Sequence, residues 1–279
     1  MPGLGRVPGL PTVQDEQELR YSRHLLLDEW SEAAQERLLR SHAVVIGAGG
    51  LGAPALMYLA AAGVGRITVV DPDTVELSNL QRQIAHTTAS VGSPKVESAA
   101  RTLAALNPDV RVHTFAQAAD EAWLAIHLPG ADVVLDCTDA FATRQRINRA
   151  AWAAGVPLVS ASALRWDGQI SVFDPRDPTS PCYACLFPPE PAPEETRCAL
   201  MGVFAPLVGQ MGVMQAGEAI RLLAGLTGPG GSAPGHRSLT GFLQMVDGRD
   251  GSVTRLRVKR QALCPVCGGD HPTRAMASA

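Results

Sequence analysis

Charge is scarce in this sequence. Lys, Arg, Asp and Glu make up 18 % of its 279 residues, below the quarter or so usual in globular chains, while 46 % are apolar. A disordered chain needs the opposite balance, so disorder is excluded for most of the length. There is no excess of positive charge: 24 Lys and Arg face 27 Asp and Glu, a net of −3, which leaves no footprint for general nucleic-acid binding. Aromatic residues are few, at 5 %, so the core must be aliphatic. No export signal is visible, because Met1–Thr12 is rich in Gly and Pro and lacks a continuous apolar core. The cytoplasm is therefore the expected location. The length suits one large α/β domain or two small ones.

The same scarcity leaves two long uncharged runs, 43–65 and 198–217, each long enough to cross a bilayer. Neither reads as a spanning helix. The first, A-V-V-I-G-A-G-G-L-G-A-P-A-L-M-Y-L-A-A-A-G-V-G, is a short β-rich run, a glycine cluster and a helical run. The second is interrupted by Pro206 and several glycines, and Gln210 and Gln215 would be costly in lipid. No membrane partner is expected.

Periodicity organises the rest. Residues 1–14 and 271–279 read as flexible tails around one domain, 15–270. Asp15–Arg40 reads as an amphipathic helix with Leu19, Leu25, Leu26, Leu27, Leu38 and Leu39 as its apolar positions. Buried strands are expected at Ala43–Ile46, Arg66–Val70, Val110–Phe115, Val133–Asp136 and Pro157–Ser160, alternating with helices. This order predicts an α/β fold with a doubly wound, mostly parallel sheet over about 41–162. Over 163–270 the texture changes: a strand at Gln169–Phe173, a Pro-rich loop, a long helix at Leu207–Leu226, and an antiparallel hairpin of Phe242–Val246 with Val253–Val258.

Gly47, Gly49 and Gly52 form G-x-G-x-x-G with Gly50 as a fourth glycine, between a strand and a helix. Missing Cβ atoms let backbone approach phosphates, and a helix N-terminus favours their charge. Asp71, 19 residues after Gly52 and at the next strand end, can accept from ribose hydroxyls. NAD, FAD and ATP all fit this Rossmann-like pattern. The segment D-P-D-T-V-E-L-S-N-L-Q-R-Q that follows favours ATP. It places Asp71, Asp73, Ser78, Asn79, Leu80, Gln81, Arg82 and Gln83 beyond a strand end. Lys95 opens the next helix. Such cations suit a triphosphate from which pyrophosphate leaves. Asp136 and Asp139, in D-C-T-D after another strand, are candidate Mg²⁺ ligands. The seven histidines look incidental, His86 lying nearest the cluster.

Cys182-x-x-Cys185 and Cys264-x-x-Cys267 are two metal-ligand pairs, and four thiolates suit a structural, tetrahedral Zn²⁺. Such a closed shell leaves no open position for catalysis. Cys137 reads as a small core residue. Cys198, preceded by Arg197, stands apart, since a neighbouring cation favours the thiolate.

R-Y-S-R (20–23), G-A-G-G-L-G (47–52), S-N-L-Q-R-Q (78–83), S-P-K-V-E (93–97), D-C-T-D (136–139) and C-P-V-C-G-G (264–269) together resemble the ThiF/MoeB/HesA family, bacterial relatives of the ubiquitin-activating enzymes. The resemblance covers roughly Asp15–Asp270. It implies an adenylyltransferase acting on the C-terminal glycine of a small ubiquitin-fold sulfur carrier. It implies that Gly50, Asp71, Asn79, Arg82, Lys95 and Asp139 bind ATP and Mg²⁺, and that Arg23 reaches into the other subunit of a homodimer. It assigns carrier binding and zinc to 163–270, and places the family's reactive cysteine at Cys198. A separate sulfur donor, such as a cysteine desulfurase or rhodanese, is then expected. C-Y-A-C-L (182–186) and R-C-A-L-M-G-V-F-A-P-L-V-G (197–209) are most similar to the branch serving thiamine synthesis, with a ThiS-like carrier. A MoaD-like carrier for molybdopterin synthesis is the alternative. Ala140 departs from the family, which often has Asn there. An NAD(P)-dependent oxidoreductase would explain the glycine turn and Asp71 but not Arg82, Lys95, Asp139 and the cysteine pairs together. A binding protein without catalysis would leave the cation set unexplained.

Overall fold

The computed structural model describes residues 15–190, 201–229 and 235–269. Helices α1 (Asp15–Leu25) and α2 (Glu32–Arg40) precede a sheet whose strands are β1 (His42–Ile46), β2 (Arg66–Val70), β3 (Arg111–Phe115), β4 (Val133–Asp136), β5 (Leu158–Leu164), β6 (Asp167–Phe173), β7 (Phe242–Asp247) and β8 (Val253–Arg257). The connecting helices are α3 (Gly52–Ala62), α4 (Lys95–Leu106), α5 (Glu121–His127), α6 (Phe141–Ala154), the short α7 (Tyr183–Leu186) and α8 (Ala205–Leu223). One eight-stranded sheet runs β3-β2-β1-β4-β5-β6-β7-β8. The first five of these are parallel, and β6, β7 and β8 join antiparallel. This is the doubly wound sheet with an antiparallel extension that the alternation of elements predicts.

Both faces of the central strands are covered, which explains the low charge. On β1, Ala43 and Val45 pack with α2, α3, α4 and α8, while Val44 and Ile46 pack with α5 and α6. Val133 and Leu135 of β4 face the first layer and Val134 the second. The uncharged run from Ala43 is therefore β1, a turn and α3. Within the described part of the second run, α8 is buried along one side, and Gln215 donates to the carbonyls of Asp136 (2.8 Å) and Val159 (3.1 Å). No helix of the described residues is long and apolar enough to cross a membrane.

The N-terminal segment differs from the single helix expected. Ser31 caps a new helix by accepting from the Ala34 amide at 3.2 Å, and buried Trp30 donates to Gln35 at 3.1 Å. Of the leucines expected to be buried, Leu38 is, whereas Leu19, Leu26 and Leu27 are exposed. The strand at 157–160 is also longer than its apolar run. It continues to Leu164 and turns at once into β6, with Leu164 opposite Asp167 and Arg165 in the left-handed region at φ 53°. No Gly or Asn announces that turn.

Candidate nucleotide-binding site and cysteine centre

The strand order reverses at β1: β2 and β3 lie on one side, β4 on the other. Ligands of open α/β sheets bind at such a point, beyond the carboxyl ends of the strands. The glycine turn follows β1 there, beside Asp71 after β2 and D-C-T-D after β4, with Ile46 level with Val70 and with Asp136.

Sterics make the turn. Gly47 has φ +100°, and a Cβ there would lie 2.7 Å from the Cys137 carbonyl oxygen. A Cβ on Gly52 would lie 1.9 Å from the Gly47 carbonyl oxygen, so α3 starts where only glycine fits. Gly50 packs against Val208 of α8. Gly49 is less confined: a Cβ there would meet only Gln83 Nε2, at 3.6 Å, an ordinary van der Waals distance. Among the described residues, no protein acceptor takes the amides of Gly49, Gly50 and Leu51. Three free donors at a helix N-terminus form an anion cradle.

Asp71 is buried, and one of its oxygens accepts from the Ala48 amide (2.7 Å), the other from the Asp73 amide (2.8 Å). Burial raises its pKa, and the two amides and nearby Lys95 oppose that. Asp73 is mostly exposed and pairs with the nearly buried Lys95 ammonium at 2.7 Å. Ser78 and Asn79 donate to Glu76, and Asn79 in turn accepts from Arg82 (3.4 Å) and Gln83 (3.0 Å). Arg82 also reaches the Ser78 carbonyl at 3.3 Å. Gln83 is buried, and its Oε1 has no partner among the described residues, an orphaned polar atom beside Gly49. Leu80 is half-buried and Gln81 exposed on the same segment.

D-C-T-D divides in two. Asp136 is fully buried and its carboxylate is engaged by the Thr138 amide, the Thr138 hydroxyl and the Ser160 hydroxyl, which fastens the end of β4. Asp139 is exposed, with no protein partner among the described residues, so its oxygens are available to a hard cation. Cys137 is a core thiol as expected. Burial raises its pKa well above the ordinary value, and it donates to Gln215 at 3.4 Å. Arg23 is exposed on α1. Cys198 lies outside the described residues.

His86 is the residue that sequence reasoning passed over. It is buried, with Nε2 2.9 Å from the Ala48 carbonyl and Nδ1 3.0 Å from the Ser98 hydroxyl. Its only sequence signal is its position three residues after Gln83.

The four paired cysteines converge. Cys182, Cys185, Cys264 and Cys267 are buried, and their sulfurs lie within 4.8 Å of one another. The separations are 3.2 Å for Cys185–Cys267, 3.5 Å for Cys182–Cys264 and 4.0 Å for Cys182–Cys185. These are far from disulfide bonds and close to the ~3.8 Å that a tetrahedron with metal–sulfur bonds of about 2.3 Å requires. Neighbouring groups orient the thiols: Asn148 donates to Cys182, and the Gln261 amide donates to Cys185. Gly268 closes the knuckle, donating to the Cys264 carbonyl where a Cβ would lie 2.5 Å from that oxygen. The donor set fits a structural Zn²⁺.

Together the fold and these two centres define an α/β protein with an anion cradle at its switch point and a four-cysteine centre. Comparison with known proteins makes this specific. The sequence model of the ThiF family matches residues 21–266, and the chain belongs to that family. It is 43 % identical over 259 residues to the sulfur carrier protein ThiS adenylyltransferase of Escherichia coli, covering 93 % of this chain and 98 % of that one. It is 42 % identical to the molybdopterin-synthase adenylyltransferase of the same organism, covering 92 % and 98 %. It is 44 % identical to the SAMP-activating enzyme E1 of Haloferax volcanii, covering 89 % and 88 %. Among solved structures, E. coli MccB with ATP has the same fold, with a TM-score of 0.75 at 22 % identity over 94 % of this chain and 76 % of that one.

Proposed function

We propose that this protein is an ATP-dependent adenylyltransferase for a small ubiquitin-fold sulfur carrier. It activates the carrier's C-terminal glycine carboxylate as an acyl-adenylate and releases pyrophosphate. The observation that carries this reading is the cradle of free Gly49, Gly50 and Leu51 amides, flanked by Arg82, Lys95 and Asp139, in a ThiF-family chain. A hydride-transfer site has little use for the Arg82 and Lys95 cations together.

The chemistry is economical. The nucleophile is a carboxylate, ionised at neutral pH with a reference pKa of about 3.5, so no general base is needed. Its oxygen attacks the α-phosphorus, and the bond from that phosphorus to the bridging oxygen breaks. Catalysis then rests on position and charge. The glycine-turn amides hold phosphate oxygens, and Asp71, Asp73, Ser78, Asn79, Leu80 and Gln81 line the nucleotide's side of the cleft. Arg82 and Lys95 neutralise the departing pyrophosphate, with Lys95 released from Asp73. Asp139 would hold Mg²⁺, which supplies charge neutralisation to the triphosphate. Arg23 would complete the site from the second subunit of a homodimer. The leucines left exposed on and just after α1 suit such an interface. Cys182, Cys185, Cys264 and Cys267 would hold Zn²⁺ and tie α7 to the C-terminal segment. Cys198 would act after adenylation, in sulfur transfer from a separate donor. Reduced thiols suit the cytoplasm.

A ThiS-like carrier is the first choice. The nearly equal likeness to the molybdopterin-synthase adenylyltransferase keeps a MoaD-like carrier as the second reading. Carrier-dependent exchange of labelled pyrophosphate into ATP, run with both carriers, tests function and partner together. Exchange with one carrier is expected, and none with any Gly-Gly-ended carrier overturns the proposal.

A further inference from the structure

In a trans peptide the C=O and N–H point in opposite directions, so fixing one aims the other. The Ala48–Gly49 peptide contains the Ala48 carbonyl, which His86 Nε2 meets at 2.9 Å, and the free Gly49 amide. A carbonyl can only accept, so Nε2 carries the proton, and Nδ1 accepts from the Ser98 hydroxyl at 3.0 Å. Burial holds the imidazole below its ordinary pKa, with Lys95 acting in the same sense and the Ala48 carbonyl and Asp71 against it. The preceding peptide is fixed from the core side as well, since the Ala48 amide donates to Asp71 at 2.7 Å. Among the described residues nothing else donates to the Ala48 carbonyl. Gly49 lacks a Cβ, and its backbone is freer than that of any other residue to let this peptide rotate. A rotated peptide would turn a carbonyl toward the phosphates.

We infer that His86 is a positioning residue for nucleotide binding. Its Nε2–H locks the Ala48–Gly49 peptide with the Gly49 amide facing the triphosphate, and Ser98 sets the ring orientation. The inference rests on the adenylyltransferase reading for the identity of the ligand. Its test does not need a carrier.

Binding of the ATP analogue AMPCPP with Mg²⁺ is measured by calorimetry on the full chain, beside melting temperatures. His86→Ala is expected to weaken binding about tenfold or more. His86→Gln, whose Nε2 stands the same number of bonds from the backbone, is expected to stay within about threefold of wild type. If His86→Ala fails to fold, His86→Asn, one methylene shorter than Gln, tests the same bond in a polar side chain and is expected to weaken binding like Ala. In exchange assays the ATP KM should rise while the carrier KM holds. Wild-type affinity in a folded Ala or Asn variant overturns the inference. So does a Gln variant as weak as these, which would mark a merely structural role. Failure of the wild-type chain to bind AMPCPP overturns both this inference and the adenylyltransferase reading, whereas binding without carrier-dependent exchange overturns only the latter.

Discussion

Gly49→Ala should separate ligand binding from folding. Gly49 is outside the left-handed region, and its new methyl would meet only Gln83 Nε2 at 3.6 Å. Replacing glycine at such a position removes freedom from the unfolded chain and stabilises by roughly 0.4–1 kcal/mol. At ~2–4 °C per kcal/mol for a chain of this size, the melting temperature should hold or rise by ~1–4 °C. The methyl nevertheless occupies the space through which a phosphate reaches the Gly49 and Gly50 amides. Losing one charge-assisted hydrogen bond costs ~1.5–3 kcal/mol, so AMPCPP should bind roughly 10- to 150-fold more weakly. Gly52→Ala is the contrasting control. Its Cβ would stand 1.9 Å from the Gly47 carbonyl oxygen and 2.8 Å from that carbonyl's carbon, both backbone atoms. Such overpacking costs roughly 1–3 kcal/mol or more, and the melting temperature should fall by several degrees. Calorimetric titration and thermal denaturation of the two variants decide the matter. A Gly49→Ala protein that binds AMPCPP within twofold of wild type would refute the close-approach argument. One that melts as early as Gly52→Ala would refute the claim that a methyl fits at Gly49.

Lys95→Met keeps the buried stem but removes the charge paired to Asp73, and pyrophosphate exchange should slow ~10²-fold or more with the fold retained; full exchange would remove Lys95 from the mechanism. Metal analysis should find one zinc per chain, and Cys264→Ser should lower both zinc content and melting temperature; a zinc-free wild type of equal stability would refute the thiolate centre. Cys198→Ser should leave exchange largely intact while sulfur transfer falls, whereas loss of exchange in a folded variant would count against that division of labour. Burial holds His86 below its ordinary value of 6.5, so below about pH 6.5 the unfolded chain binds more protons there than the folded one. That share of stability is present above the window and lost on acidification. The stability of His86→Gln relative to wild type should therefore improve as pH drops from 7.5 to 5.5 in urea titrations, and a pH-independent difference would refute it.

The fold was largely legible because its signals are local and redundant. Buried parallel strands appear as the runs A-V-V-I and V-V-L-D, and Gly63 and Gly155 end α3 and α6 in the left-handed conformation that glycine favours. What escaped depends on competition between local signals and tertiary contacts. The break between α1 and α2 needed Ser31 to be recognised as a cap inside a leucine-rich stretch that satisfies helical periodicity without it. The β5–β6 turn uses Arg165, a residue type that does not announce φ 53°. Its conformation is held by long-range bonds, with the Arg165 amide donating to the Gly202 carbonyl and the Phe204 amide to the Arg165 carbonyl.

The candidate site is legible in residue types and illegible in pairings. Asp71, Arg82, Lys95 and Asp139 stand out in the sequence because charge is rare and these charges follow strands. Their partners do not stand out. The sequence pairs each with an absent ligand, whereas the structure pairs Lys95 with Asp73 and gives Asp71's oxygens to backbone amides. This follows from the cost of burying charge: an ammonium as enclosed as that of Lys95 needs a counter-charge before any triphosphate arrives. Asp136 and Asp139 illustrate the same rule from the other side. Spacing makes them equivalent candidates, but the buried one must spend its oxygens on Thr138 and Ser160, and only the exposed one keeps them free. Backbone donors are harder still to read, because every residue carries one. The Gly49 amide becomes distinctive only when the groups that hold its peptide plane are known, and His86 arrives there through the tertiary fold. A sequence can nominate the charges that meet a nucleotide; the peptide planes that meet it are set by buried neighbours such as Asp71 and His86.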